Sequence, residues 1–366
     1  MPATLTPDQR DLLALNLVPG LGPRLTAALL DQFGSAAAVL QATETQLTEI
    51  PHIGSKLAQD LRQAISRLDV AREIELLEKH QTRLLALGSP EYPAPLATVP
   101  DPPHLLYLRG TWEARDTNSV AVVGSRHGTA YGRRIAERLG MELARAGFTV
   151  ISGLARGVDG AAHRGALKAG GRTFAVLAGG LCRIYPPEHT ELSQEIQAAG
   201  GLFSEAPMAM DPLAGMFPAR NRLISGLSRG VVIVEAAERS GALITARHAA
   251  EQGRAVLAVP GPVDSPASAG ALKLLRDGAT LVRSAQDIIE ELDGVAPIVP
   301  PAAVEPPKQL DDTQRRIWDF LADQPHHIDD IARQAGLTAP QAASTLMTME
   351  MQKAIRRLPG NRYERC

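Results

Sequence analysis

Residues 119–146 read SVAVVGSRHGTAYGRRIAERLGMELARA. Ser119–Val123 is a short apolar run without polar alternation, the pattern of a strand covered on both faces of a parallel sheet. Gly124 to Gly128 supplies small residues for a tight turn. From Tyr131 to Ala146 the residues Ile135, Leu139 and Leu143 recur at helical spacing, with Arg134 and Arg138 off that stripe. Strand, glycine turn and amphipathic helix make one βα unit. Similar apolar runs follow at Phe148–Ile151, Thr173–Ala178, Val231–Glu235 and Ala255–Val259. Their alternation with helical stretches predicts an α/β fold, a Rossmann-like, doubly wound, mostly parallel sheet with right-handed crossovers.

Outside this block the pattern changes. Between Leu84 and Gly110 stand six prolines, a density that argues against a helix there, and the stretch ends on a strand-like His104–Arg109. Residues 8–80 carry leucines at helical spacing and a short internal repeat, Val18-Pro-Gly-Leu-Gly-Pro-Arg24 and Ile50-Pro-His-Ile-Gly-Ser-Lys56. Each repeat is a glycine turn that opens a helix beside a basic residue, a geometry suited to an anion and equally to packing alone. Five prolines in residues 294–308 predict an extended linker. Beyond it come three helical stretches, around Ile317–Leu321, at Ile328–Ala335 and at Pro340–Met351, and then a small hairpin over Ala354–Leu358 and Tyr363. That is the outline of a winged helix. The expected organisation is an all-α helix-hairpin-helix/SAM-like domain at 1–80, the Rossmann-like domain at 81–293, a linker at 294–308 and a winged-helix domain at 309–366.

Composition constrains function weakly. The 366-residue chain has net charge −2, and Thr111–Asp293 holds 20 basic against 19 acidic residues. A nucleic-acid surface must therefore be a local cluster. Only six of the 38 basic residues are lysines. Arginine suits phosphates and base edges, but the shortage of lysine runs through every segment, so codon usage is the simpler reading. No apolar stretch approaches the roughly 20 residues of a membrane span. The N-terminus lacks a secretion signal, and Cys182 and Cys366 are the only cysteines. These features predict a cytoplasmic protein without a membrane partner.

In an open α/β sheet ligands settle beyond the carboxyl ends of the strands. Four glycine-rich turns are expected there: Gly124–Gly128, Ser152–Asp159, Gly179–Arg183 and Glu235–Gly241. One such turn shows only that a tight connection is needed; four on one edge point to a ligand site. The stretch Phe217-Pro-Ala-Arg-Asn-Arg-Leu-Ile-Ser225 adds an aromatic beside two arginines. Phe217 suits base stacking and Arg220 and Arg222 suit phosphates, the combination that holds single strands. The competing reading has Phe217 in the core and the arginines on a solvated helix start. No sequence pattern points to an enzyme. The nine histidines form no zinc motif, no histidine has a partnered nucleophile, and neither a P-loop nor Gly-x-Gly-x-x-Gly occurs. No cofactor or metal is expected. The third helix of the tail has no Arg or Lys before Lys353, so the tail is at least as well suited to protein contact as to base readout.

The ordered motifs Val120–Arg126, Tyr131-Gly132, Ser152–Asp159, Phe217–Arg222, Ser240–Ala246 and Ala258–Gly261 closely resemble the DprA/Smf family of bacterial DNA-processing proteins, over roughly residues 84–292. The resemblance implies single-stranded DNA binding, protection of incoming DNA, homodimerisation, and loading of RecA recombinase during natural transformation (competence) and recombination. Carried over by position, it implies Gly124, Ser125, Arg126, Phe217, Arg220, Asn221 and Arg222 as strand-binding residues, with Ser240 and Gly241 as an extension. Cys182 departs from the family pattern, in which an acidic residue follows Gly-Leu in the third turn; a small buried filler is expected there. The alternative is a nucleotide-processing hydrolase of the lysine-decarboxylase-like Rossmann type, although Ala178-Gly-Gly-Leu-Cys182 lacks that class's third glycine and threonine.

Overall fold

The computed structural model of the chain describes residues 5–293, 310–321, 326–352, 354–358 and 360–365. The expected linker at 294–308 lies outside the described residues. Two compact units are resolved, Met1–Val299 and Pro300–Cys366.

The first unit is built on nine strands: β1 Thr82–Ala86, β2 Leu105–Gly110, β3 Ser119–Val123, β4 Thr149–Ser152, β5 Thr173–Val176, β6 Gly201–Ser204, β7 Gly230–Ile233, β8 Ala255–Ala258 and β9 Thr280–Leu281. Their order in the sheet is β1-β2-β6-β5-β4-β3-β7-β8-β9. From β6 to β9 every pairing is parallel, whereas β2 pairs antiparallel with both β6 and β1. The chain winds from β3 through β4 and β5 to β6, then returns to lay β7 on the other flank of β3. The topological switch point therefore falls between β3 and β7. Every residue of β3, β4, β5 and β7 is buried, which explains the unbroken apolar runs; each fully buried Val, Ile or Leu contributes roughly 1.5–3 kcal/mol.

The proline-rich stretch does hold one helical turn, Ala94–Ala97, which corrects the expectation of none. Pro95 sits in its first turn, where the missing N–H has no intrahelical partner to lose. Before the sheet, Leu15, Leu29, Val39 and Leu61 join the helical module's own core. Leu13 and Leu77 pack instead with Leu84, Leu105 and Tyr107 at the sheet's antiparallel end.

In the second unit, helices Asp312–Phe320, Ile328–Ala335 and Ala339–Met351 accompany strands β10 His326–His327, β11 Ile355–Leu358 and β12 Arg362–Arg365. The strands run β10-β12-β11, and Ile317, Trp318, Ile331, Leu346 and Tyr363 form the core. This is a winged helix.

His163 lies wholly inside the first unit, with Nδ1 2.7 Å from Thr173 Oγ1, whose own hydroxyl donates to Val150 O at 2.8 Å. The imidazole must then donate from Nδ1, which leaves a bare, unpartnered Nε2. Burial, reinforced by the neighbouring His189, Arg164 and Arg220, pushes its pKa down to about 3. In the unfolded chain the ring titrates near its ordinary 6.5. The folded value is thus the lower one, and the unfolded state takes up the proton first as pH falls. Stability from this site is complete above the unfolded value and declines from there toward about pH 3, by at most about 1.4 kcal/mol per pH unit. Thermal melts at pH 7.5 and 5.0 should show a smaller acid-induced drop in His163→Leu than in the wild type. An equal drop in both would assign the acid sensitivity elsewhere.

Candidate functional site

At the switch point the ends of β3 and β7 are bound together before their chains diverge. Ser125 N–H donates to Glu235 O at 2.7 Å, and the Glu235 carboxylate accepts from Thr129 N at 2.8 Å and Thr129 Oγ1 at 2.6 Å. Glu235 is buried. A Cβ at Gly124 would stand 2.8 Å from Val158 Cγ2 and 2.9 Å from Glu235 O, so only glycine lets the turn pass. Gly157, at φ 75°, brings the next turn against the Ser125 carbonyl in a conformation that L side chains disfavour.

Above these turns lies a cavity of about 730 Å³. Helices Val158–Lys168, Met216–Gly226 and Ala242–Glu251 each begin at its wall behind a glycine N-cap that offers no side-chain acceptor. Several of their first amides are already taken, Val158 N–H by Ser125 O, Gly160 N–H by Ala155 O, Met216 N–H by Leu213 O and Ala242 N–H by Ser240 Oγ, so what these helix starts offer an anion is chiefly their positive dipole ends. Gly124, Ser125, Arg126, Phe217, Arg220, Asn221, Ser240 and Gly241 all line the cavity. The exposed Arg126 lies with its guanidinium carbon 4.8 Å from the centre of the half-buried Phe217 ring. Asn221 donates to Gly241 O at 3.3 Å and so ties the middle of the Met216–Gly226 helix to the N-cap of the Ala242–Glu251 helix.

The arginines of this segment behave differently from expectation. Arg220 is 7% exposed and forms part of the cavity floor, donating to Gly153 O at 2.9 Å and to Val176 O. Burial lowers its pKa to about 10, still protonated at neutral pH, with Asp159 opposing the shift and Arg126 adding to it. Asp159 is buried beside it; burial raises its pKa against the pull of Arg220 and the amides of Ala155 and Gly153. Arg222 is 4% exposed and does not line the cavity. Its fork holds Glu205 at 2.7 and 2.6 Å and the Asp101 carbonyl at 2.7 Å. Two residues apart on a helix is about 200° of rotation, so once Arg220 faces the floor Arg222 must face away. Arg222, expected at a phosphate, stands here in an internal ion pair away from the cavity. Neither sequence reading of the segment holds in full: the aromatic is accessible and the arginines are buried.

Three of the four glycine turns open on the cavity. The exception is Gly179-Gly180, which packs beneath the segment 207–212; a Cβ at Gly179 would stand 2.9 Å from Met210 O. Cys182 is half-buried rather than the buried filler expected. The third connection nonetheless contributes Tyr185, which the sequence reading missed. It is 41% exposed, lines the cavity, and stands edge-on to Phe217 at 5.7 Å. The scarcity of aromatics that singled out Phe217 applies equally to Tyr185. Glu235 and Asp159 were legible only as members of motifs. His127 lines the cavity rim, whereas His163 does not.

The helical module reaches the site indirectly. Asn16 donates to Glu205 O at 3.2 Å and accepts from Tyr107 Oη at 3.1 Å, while Glu73 accepts from Met208 N–H at 2.7 Å. Residues 205–215 are the connection that delivers Phe217. Among the described residues no group of three or more His, Cys, Asp or Glu is placed to hold a metal ion, and no helix is long and apolar enough to cross a membrane.

Comparison with known proteins gives three family matches: residues 83–293 to the DNA recombination-mediator protein A family, 300–361 to the DprA winged helix domain, and 10–67 to the SAM-like helix-hairpin-helix tandem. Protein Smf of Escherichia coli is 41% identical across 78% of this chain and 78% of its own length. Protein Smf of Synechocystis sp. is 32% identical across 98% and 99%. The X-ray structure of DNA processing protein A from Streptococcus pneumoniae superposes with a TM-score of 0.67 at 32% identity, covering 79% of this chain and 98% of that one. A structure describing the single-stranded DNA binding mode of DNA processing protein A from Helicobacter pylori gives a TM-score of 0.53 at 32% identity, covering 58% and 96%.

The two arginine environments separate in stability. Arg222→Ala strands Glu205 and Asp101 without their cation and should cost about 2–3 kcal/mol, read as a thermal midpoint several degrees lower. Arg126→Ala, at an exposed site, should melt with the wild type. Equal melts for all three proteins would show the Arg222 ion pair to be dispensable.

Proposed function

The chain belongs to the DNA recombination-mediator protein A (DprA/Smf) family, and on that premise we propose that its switch-point cavity binds single-stranded DNA. The observation that carries this reading is Arg126 resting over an accessible Phe217 at the mouth of a cavity toward which three helices turn their positive dipole ends. A base takes the Phe217 ring, and the exposed Arg126 follows the neighbouring phosphate. Stacking gives sequence-tolerant affinity while cationic and amide donors track the backbone. Gly124, Ser125, Ser240 and Gly241 line the cavity with small residues that let the backbone of the strand come close. Arg220 supplies a fixed positive charge from the floor, Asn221 ties its own helix to the start of the Ala242–Glu251 helix, and Arg222 acts at a distance by anchoring the helix that carries the other two.

Family membership also supports the wider role: protection of incoming DNA, loading of RecA in natural transformation and recombination, a homodimer, and a cytoplasmic setting. Residues 81–293 carry the strand, with 1–80 as one flanking domain and 309–366 as another that follows the linker 294–308. A binding role rather than catalysis is favoured because the carboxylates nearest the cavity are occupied. Glu235 is bonded by Thr129, and Asp159 accepts from Gly153 and Ala155. Release of free base from a nucleoside monophosphate would instead support the hydrolase reading.

Fluorescence anisotropy of a labelled oligothymidine across a salt series tests the proposal. Binding should be much tighter than to duplex and fall steeply with salt, by about 0.7 in the logarithmic slope per phosphate contacted. Arg126→Ala should lower affinity roughly tenfold and flatten that slope, and Phe217→Ala should lower affinity by a similar amount. Equal affinity for single and double strands, or indifference to both substitutions, would overturn it.

A further inference from the structure

Tyr185 and Phe217 come from different connections, the one after β5 and the one after β6, yet their ring centroids are 5.7 Å apart with the planes inclined at 62°. Tyr185 is held in place from behind. The Arg156 guanidinium carbon lies 5.8 Å from its ring centre, and the Arg156 fork is held in turn by Glu188. Arg156 is thus a brace for the ring rather than a free cation. The exposed Tyr185 ring and the Phe217 ring face one cavity and form a bent ledge with Arg126 at its far end.

We propose that Tyr185 is a second stacking platform, and that the 62° bend between it and Phe217 sets the preference for single strands. This rests on the reading of the cavity as a strand-binding site. Successive bases in a duplex lie nearly parallel. Two bases that occupy rings inclined at 62° must be rotated out of mutual stacking at that step. A flexible single strand makes that turn at the cost of one weak stacking contact, whereas a duplex must break base pairs as well. Oligothymidine, whose bases stack weakly, suits the ledge well.

The test uses the full chain and four proteins: wild type, Tyr185→Ala, Tyr185→Phe and Phe217→Ala, each checked for an unchanged thermal melt. Anisotropy is measured with labelled dT12 and with an abasic strand of the same length. Tyr185→Ala should weaken dT12 binding at least fivefold, the lower end of what one stacked base supplies, and leave abasic binding unchanged. Tyr185→Phe should keep dT12 affinity within about twofold. Duplex binding should change little in any variant, so the ratio of single-strand to duplex affinity should shrink in Tyr185→Ala. If Phe217→Ala is impaired and Tyr185→Ala is not, the ledge is wrong and the cavity stands. An equal loss on dT12 and on the abasic strand would mean that Tyr185 acts through the fold or backbone, which also overturns the proposal. If neither substitution matters, the strand-binding reading falls and the ledge falls with it.

Discussion

The site depends on one tie, the double attachment of the β3 turn to Glu235 at the end of β7. A doubly wound sheet separates its successive connections at the switch point, and two loops leaving in opposite directions leave a gap floored by backbone. Such a gap stays open and of fixed width only if its two edges are fastened. Ser125 N–H on the Glu235 carbonyl and Thr129 on the Glu235 carboxylate do this with three hydrogen bonds in a buried setting. There, an unmade bond would cost about 1–3 kcal/mol. The glycine at 124, the Arg126 side chain above it and the Ala242–Glu251 helix start across the gap all take their positions from that fastening.

A near-neutral chain can still present a cationic ledge, and several of its other arginines are spent internally, away from the cavity. Arg222 answers Glu205 and Asp101, Arg172 answers Asp116, and Arg254 donates to the carbonyls of Pro95 and Gly226. These arginines close hydrogen-bonding demands of the interior where strands and helices end, a task suited to a planar five-donor fork. The arginine count was therefore a poor guide to nucleic-acid binding, as net charge had been. What matters is which few guanidinium groups keep a face toward the cavity.

The sheet was legible because parallel strands buried on both faces leave unbroken apolar runs; Ser119–Val123 was read to the residue. Gly201–Ser204 and Thr280–Leu281 left no such mark, the first offering only Leu202 and Phe203 between a glycine and a serine and the second being two residues long. Within the site, the turn at Gly124–Arg126 and the aromatic at 217 could be located from topology and residue type. The orientation of Arg220 and Arg222 could not. Two arginines spaced by one residue look equivalent in a sequence, and only the helix that carries them sends one to the cavity floor and the other to an ion pair. Tyr185 was hidden by a different fact: its turn was judged by its glycines, which pack away from the cavity, rather than by the aromatic that follows them.

The contacts from Asn16 and Glu73 to Glu205 and Met208 have a consequence for how the molecule can be divided. The helical module lends two hydrogen-bonding groups to the strap that places Phe217. A fragment trimmed to the sheet alone would lose both supports at once, and its cavity would inherit a slack wall. The boundary seen in sequence and the boundary of the working part do not coincide. A module without a surface in the cavity still steadies one of its walls, as a bridge abutment fixes a span it never crosses.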